Sequence, residues 1–131
     1  MAYLYDTNII IYYLQQQFPV ATEIFIDSLI QKQSPVISVI TEIELLCWNG
    51  SLENDIEVLK SFIGETIVIP LEQDVKLRTI EIRKKYKLKM PDAIIAASAL
   101  VHDLTFLTRN LNDFKLIPEL KIINPWEPPT I

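Results

Sequence analysis

Residues 91–101 read PDAIIAASALV, and residues 105–108 read TFLT. Proline is favoured in the first turn of a helix, so Pro91 indicates a helix start, and Asp92–Val101 is apolar on almost every side. Such a helix is expected to be buried over most of its surface. The segment Thr105–Thr108 is β-branched and aromatic and predicts a strand. A buried helix that leads into a short apolar strand is typical of a parallel α/β sheet.

The same alternation of strands and helices continues along the chain. The predicted strands are Tyr3–Tyr5, Pro35–Ser38, Thr66–Ile69, Thr105–Thr108 and Lys121–Ile123. The predicted helices are Ile9–Gln17, Val20–Gln33, Thr41–Trp48 (stopped by Asn49-Gly50), Asp55–Phe62, Glu72–Tyr86 and Asp92–Val101. The sequence therefore predicts a single domain over residues 1–131 with an α/β fold, a three-layer sandwich around a central, mainly parallel sheet.

Composition excludes several kinds of functional site. The chain has two glycines, one histidine (His102) and one cysteine (Cys47). These numbers exclude a glycine-rich phosphate loop, a Cys/His zinc cluster and a disulfide framework. Cys47 shares a helix with Ile43 and Leu46, so we expect it to be a small buried core residue.

The chain is acidic, with 17 Asp and Glu against 12 Lys and Arg and a net charge of −5. An acidic chain is not a general nucleic-acid coat, and it would bind nucleic acid at a local site where cations bridge carboxylates to phosphates. No stretch approaches the ~18 consecutive apolar residues of a membrane span, and the amino terminus does not resemble a secretory signal. The prediction is a cytoplasmic protein with no membrane partner.

Several carboxylates fall where an α/β sheet places its ligand site, outside the carboxyl ends of the strands. Asp6 ends the first strand, and Asp113 follows the fourth strand in a short loop. Asp92 lies in the first turn of the buried helix. Glu42 and Glu44 lie on the helix after the second strand, roughly 200° apart around the helix axis, so at most one of them can face the same site.

Each of these acids has an ordinary structural explanation when taken singly. Asp6 can cap a helix, Asp92 can lie favourably at a helix amino terminus, and Glu44 and Asp113 can be solvated surface charges. Those explanations do not account for four acids at one rim, where like charges repel. A hard divalent cation, Mg²⁺ or Mn²⁺, is the expected partner, because it prefers oxygen ligands and binds substrate phosphates.

Four blocks of sequence, in this order and at these separations, resemble a PIN-domain ribonuclease of the VapC toxin type. They are LYDTNI (residues 4–9), SVITEIEL (38–45), MPDAIIAA (90–97) and LTRNLNDF (107–114), and the closing INPW (123–126) is also similar. The resemblance spans the chain. It implies a PIN-like fold, a Mg²⁺- or Mn²⁺-dependent endoribonuclease activity with RNA as substrate and tRNA among the candidates, a homodimer and a cognate antitoxin protein.

The resemblance also implies which side chains form the site. Asp6, Glu44, Asp92 and Asp113 fall on the acidic positions of the family, as metal ligands and catalytic residues. Glu44 is preferred to Glu42 because the family's Thr-x-x-Glu-Leu pattern falls on Thr41 and Glu44-Leu45, a choice that helical periodicity leaves open.

The remaining site residues lie beside these acids. Asn110 is expected to bind a metal water or a phosphate, and Thr7, Asn8 and Thr108 to orient carboxylates or water. Arg109 is either a phosphate-binding residue or a surface charge at a strand end.

The segment from Ile11 to Phe18 carries more apolar surface than a short helical hairpin hides, which indicates a homodimer seam or a groove for a partner helix. Two other functions compete with a toxin nuclease. They are an orphan or housekeeping RNA-processing nuclease and a catalytically silent binding module.

Overall fold

Strands and helices alternate in the computed structural model, which describes residues 2–48 and 53–129, with the backbone alone for residues 53–55. The strands are β1 (Tyr3–Tyr5), β2 (Val36–Ser38), β3 (Ile67–Ile69), β4 (Thr105–Leu107) and β5 (Ile122–Ile123). The helices are α1 (Thr7–Leu14), α2 (Val20–Lys32), α3 (Val39–Cys47), α4 (Glu53–Gly64), α5 (Gln73–Lys85), α6 (Met90–Val101) and α7 (Leu111–Phe114). The predicted helix stop at Asn49-Gly50 lies outside the described residues.

The five strands form one sheet in the order β3-β2-β1-β4-β5, and every neighbouring pair is parallel. Strand β1 is central, with Leu4 opposite Val36 of β2 on one side and Phe106 of β4 on the other. Because parallel strands end at the same edge of a sheet, the loops that follow β1, β2 and β4 are neighbours. The predicted parallel sheet is confirmed.

Successive side chains of each strand enter two different cores. Leu4, Val36 and Phe106 join the core under α5 and α6. Tyr5 and Leu107 join the core under α1, α2, α3 and α4. The period-two alternation of strand side chains therefore produces two apolar layers, one on each face of the sheet. The predicted three-layer sandwich is confirmed.

Helix α6 is the most enclosed element, since all seven residues from Ala93 to Ala99 are buried. Alanine dominates this segment, and small side chains let α6 approach both α5 and the sheet closely. His102 directly follows α6 as its carboxyl-cap residue. It is exposed, as its position after the apolar run predicts. Within the described part of the chain, no helix is both long enough and apolar enough to cross a lipid bilayer.

Helices α1 and α3 each begin two residues before their predicted start, because a side chain caps the amino terminus of each helix. Helix α1 begins at Thr7 and not at Ile9, since the Asp6 carboxylate accepts the first free N–H. Helix α3 begins at Val39 and not at Thr41, because the Ser38 hydroxyl accepts the N–H of Ile40 at 3.1 Å.

Two further predictions of local structure need correction. Helix α1 ends at Leu14 and not at Gln17, because Gln16 adopts a left-handed backbone with φ of 55°. Asp113 lies within the one-turn helix α7 and not in a loop.

We expect Ile95→Ala to lower the free energy of unfolding by about 2–5 kcal/mol, because Ile95 is 1% exposed and its truncation leaves a cavity between α6 and the sheet. The matched control is Ile80→Ala on α5, where the isoleucine is 50% exposed and the loss should be under about 1 kcal/mol. Urea unfolding followed by circular dichroism measures both. Equal losses in the two variants would contradict the central position of α6.

Candidate active site

Asp6 occupies the junction between β1 and α1, and both of its carboxylate oxygens are held. Oδ1 accepts the backbone N–H of Thr7 at 2.8 Å, and Oδ2 accepts the hydroxyl of Thr108 at 2.7 Å. Thr108 follows β4 directly and is fully buried. One carboxylate is thus fixed between the ends of two neighbouring strands, at the carboxyl edge of the sheet.

The surroundings of Asp6 disfavour its negative charge on balance. Burial is the largest cause of a raised pKa for Asp6, while the hydrogen bonds from Thr108 and Thr7 oppose it. The negative charges of Asp92 and Glu44 raise the pKa of Asp6 further. These three acids therefore lie near enough to one another for their charges to interact.

Glu44 reaches the same place from α3, the helix that follows β2. Its Oε1 accepts the Thr7 hydroxyl at 2.6 Å, and the hydroxyl oxygens of Thr7 and Thr41 lie 3.1 Å apart. Thr41 is fully buried and one turn before Glu44 on the same helix. Of the two glutamates on α3, Glu44 lines the pocket beside Asp6 and Glu42 does not.

Asp92 reaches the same pocket from the first turn of α6. Its pKa is raised first by burial, then by the negative charges of Asp113 and Glu44, while Lys89 at the helix start lowers it. The carboxylate is only partly buried, so solvent screens part of these interactions. All four predicted acids are therefore coupled electrostatically, with Asp113 coupled through Asp92.

Asn110 and Asp113 form the fourth side of the site. The Asn110 side-chain amide donates to Asp113 Oδ2 at 3.0 Å, and its backbone N–H donates to the Thr108 hydroxyl oxygen at 3.0 Å. Asn110 thus links Asp113 to the same threonine that holds Asp6. Asn110 lines the pocket next to Asp92, whereas Asp113 lies on α7 outside the pocket lining.

A pocket of about 410 Å³ opens between these elements. Its polar lining is Asp6, Thr7, Asn8, Glu44, Asp92 and Asn110, and its remaining lining is Ile11, Cys47 and Trp48. The expectation of a buried Cys47 is wrong, since Cys47 is exposed. Sequence reasoning missed Cys47 and Trp48 as lining residues, although Cys47 follows Glu44 by one turn of α3 and Trp48 is the residue at which that helix ends.

Arg109 forms no ion pair with the acids of the site among the described residues. Its guanidinium carbon lies 4.5 Å from the centroid of the Trp126 ring. The side chain of Arg109 is exposed beside the pocket, one residue after Thr108 and one before Asn110. The sequence indicated Arg109 as a candidate for phosphate binding but did not indicate its aromatic support.

The donor set suits a hard divalent cation. The polar side chains at the pocket offer carboxylate, hydroxyl and amide oxygens, which are the ligands that Mg²⁺ and Mn²⁺ prefer. Among the side chains that the structure describes, in residues 2–48 and 56–129, no three His, Cys, Asp or Glu residues converge into a ready-made metal cluster. Mg²⁺ commonly binds through one or two carboxylates and keeps several waters, so the chemistry of Asp6 and Asp92 suits it without a third acid.

Comparison with known proteins identifies the fold's family. The PIN domain model matches residues 3–120. None of the curated proteins compared is significantly similar in sequence. Among solved structures, a toxin–antitoxin complex from Klebsiella pneumoniae includes a chain with 30% identity and a TM-score of 0.76, covering 96% of this chain and 99% of its own.

Two further solved structures have the same fold. The first is VapBC2 from Rickettsia felis, bound to a DNA fragment from their promoter, with 25% identity, a TM-score of 0.79 and coverage of 95% of this chain and 98% of the other. The second is VapBC-1 from nontypeable Haemophilus influenzae, with 24% identity, a TM-score of 0.80 and coverage of 97% of this chain and 100% of the other. The resemblance to VapC-type sequences is confirmed by these matches, and the chain belongs to the PIN domain family.

Proposed function

We propose that this chain is a Mg²⁺- or Mn²⁺-dependent endoribonuclease and the toxin of a VapBC-type toxin–antitoxin pair. One observation carries the proposal: Asp6, Glu44 and Asp92 line a single pocket at the carboxyl edge of a PIN-domain sheet. The toxin role rests on the 30% identical chain in the Klebsiella pneumoniae toxin–antitoxin complex, which this chain matches over 96% of its length. An acidic pocket of this kind would repel an RNA phosphate unless a cation lies between them.

Asp6 and Asp92 are the proposed direct metal ligands, with Glu44 and Asp113 adding negative charge and binding coordinated waters. When bound, a divalent cation supplies a water of lowered pKa and positive charge beside the phosphate. Asp6 is suited to the central position because the two hydrogen bonds from Thr7 and Thr108 fix both of its oxygens. These four acids are the proposed catalytic residues.

Thr7, Asn8, Thr108 and Asn110 are the proposed positioning residues. Thr7 joins two acids, because its backbone N–H holds Asp6 while its hydroxyl holds Glu44. Thr108 joins Asp6 to the loop that carries Asn110. Fixed carboxylates bind a cation and orient its waters better than mobile ones, because less entropy is lost when the site forms.

The shape of the pocket favours an unpaired substrate. The pocket has a volume of about 410 Å³, and Ile11 and Trp48 offer apolar surface to a base or ribose. Bases are accessible to such contacts only in single strands, loops and bulges of RNA. The proposed substrate is therefore single-stranded or looped RNA, with tRNA among the candidates.

Three further properties remain predictions from the sequence. They are a cytoplasmic location, a homodimer and a cognate antitoxin that covers the acidic pocket. The orphan-nuclease and silent-module functions remain the alternatives that the experiments below exclude or support.

We expect Asp6→Asn and Asp92→Asn to lower RNA cleavage by about 100-fold or more, since loss of even an outer-sphere partner of a metal site costs 10–100-fold. Purified protein is incubated with single-stranded RNAs and tRNAs in Mg²⁺, Mn²⁺ or EDTA, and products are resolved on gels. Cleavage should require the metal and disappear in both variants.

The matched control pair is Glu44→Gln and Glu42→Gln, which remove the same charge from the same helix. Only Glu44→Gln should reduce cleavage, because Glu42 does not line the pocket. Cleavage that persists in Asp6→Asn would indicate a contaminating nuclease, and no cleavage by the unmodified chain would favour the silent binding module.

Expression of the chain alone in a bacterial host should arrest growth if it is a toxin. Asp92→Asn should relieve the arrest, and so should co-expression of the protein encoded by the neighbouring reading frame. The readouts are colony counts and culture density after induction. Normal growth with an active nuclease would favour the orphan RNA-processing function.

Without metal, Asp92→Asn should raise the free energy of unfolding by about 0.5–1 kcal/mol at low salt. The physical reason is that Asp92 lies near other acids while solvent screens part of the repulsion. Urea unfolding in EDTA measures the change, with Glu42→Gln as the control that should leave stability within about 0.5 kcal/mol. A destabilised Asp92→Asn variant would contradict the repulsion between these carboxylates.

A further inference from the structure

Among the described residues, Arg109 is an exposed cation that forms no ion pair, next in sequence to a residue that lines the acidic pocket. The ion pairs found across the described residues involve Arg78 and Lys121, and none involves Arg109. The side-chain contact that Arg109 does form in the described part of the chain is with an aromatic ring.

The Trp126 ring is the group that holds it. The guanidinium of Arg109 lies over that ring at 4.5 Å, a contact of the cation–π type. A guanidinium has its N–H donors in its own plane, so stacking on a ring occupies a face and leaves the donors at its edge available. Arg109 is therefore held in place by one partner while it remains able to bind another.

Trp126 is itself fixed by two other aromatic rings. Tyr12 and Phe18 contact it edge-to-face, with centroid distances of 5.1 and 5.3 Å. The backbone N–H of Trp126 also donates to the side-chain oxygen of Asn124 at 3.0 Å, which turns the chain after β5. The platform under Arg109 thus joins the end of the sheet to α1, the helix that Asp6 caps.

The position of Arg109 relative to the acids suits a neighbouring phosphate better than the one that is cut. Its backbone lies between Thr108, which holds Asp6, and Asn110, which lines the pocket. Its side chain points to Trp126, outside the pocket lining. A strand whose reacting phosphate lies at the acids would therefore bring an adjacent phosphate to Arg109.

We propose that Trp126 is a positioning residue that holds Arg109 at the rim of the pocket to bind a backbone phosphate flanking the cleaved bond of single-stranded RNA. This proposal rests on the proposed function. The arginine forms charge-assisted hydrogen bonds to the phosphate oxygens, and the tryptophan acts through the arginine. Together they add one positive subsite at the rim of the acidic pocket.

The test compares Arg109→Gln, Trp126→Leu, Trp126→Phe and the double variant Arg109→Gln/Trp126→Leu. Two measurements are made on each: KM and kcat for RNA cleavage in Mg²⁺, and binding of a fluorescein-labelled oligouridylate in Ca²⁺ at several salt concentrations. Lys76→Gln is the matched control, because it removes one exposed positive charge from α5 on the other face of the sheet. Thermal unfolding establishes that each variant is folded.

Arg109→Gln should raise KM and the oligouridylate Kd by roughly 10-fold, with kcat changed much less, because one charged hydrogen-bonding group is lost. The slope of log Kd against log salt should fall by about 0.7, the value for one phosphate contact to a single strand. Trp126→Leu should raise KM by about 3-fold. Trp126→Phe should keep KM close to that of the unmodified chain, because phenylalanine keeps an aromatic face. The double variant should be no weaker than Arg109→Gln alone.

The outcomes separate this proposal from the proposed function. Normal cleavage with unchanged KM and salt slope in Arg109→Gln would overturn the subsite and leave the nuclease intact. Oligouridylate binding that weakens in the variants, without cleavage by the unmodified chain, would support the subsite and contradict the nuclease. Absence of oligouridylate binding by the unmodified chain, or an equal loss in Lys76→Gln, would overturn the subsite.

Discussion

The hydrogen bond between the Thr108 hydroxyl and the Asp6 carboxylate is the interaction on which the site depends, because it opposes the mutual repulsion of neighbouring acids. It connects the ends of β1 and β4, which the parallel register already places side by side. Thr7 continues the connection to Glu44, and Asn110 continues it to Asp113. A short network of hydroxyl and amide groups therefore holds like charges together before any cation is bound. The fold supplies the necessary stability from its two apolar cores, one on each face of the sheet.

The predictable part of this molecule is the part governed by local patterns. The apolar run of α6 and the short β-branched strands follow from hydrophobic periodicity, and the position of Asp6 follows from the rule that parallel sheets bind ligands at their carboxyl edge. The apolar pattern alone predicts the starts of α1 and α3 two residues late, because capping by Asp6 and Ser38 extends each helix beyond its apolar residues. Hydrophobic pattern and cap chemistry are separate signals, and both are needed to predict where these helices begin.

The less predictable part consists of contacts between residues far apart in the chain. Periodicity leaves Glu42 and Glu44 equivalent, and the choice becomes visible in the hydrogen bond from Thr7, 37 residues earlier. The contact of Arg109 with Trp126 likewise needs the three-dimensional position of the segment after β5. The apolar neighbours of Cys47 predict burial, but Cys47 is exposed and lines the open pocket. Residue type predicts burial poorly at the edge of a functional site, where apolar side chains can face solvent.

The short outer strands of the sheet limit how copies of this chain can associate. Strand β3 has three residues and is followed by Pro70, and β5 has two residues and is followed one residue later by Pro125. An edge this short, and closed by a residue without an N–H, offers almost no ladder for another strand to extend. The architecture therefore disfavours aggregation in which the edge strands of two copies pair through backbone hydrogen bonds. Any symmetric assembly of the chain has to be built from its helical faces, where side chains and not backbone hydrogen bonds determine the choice of neighbour.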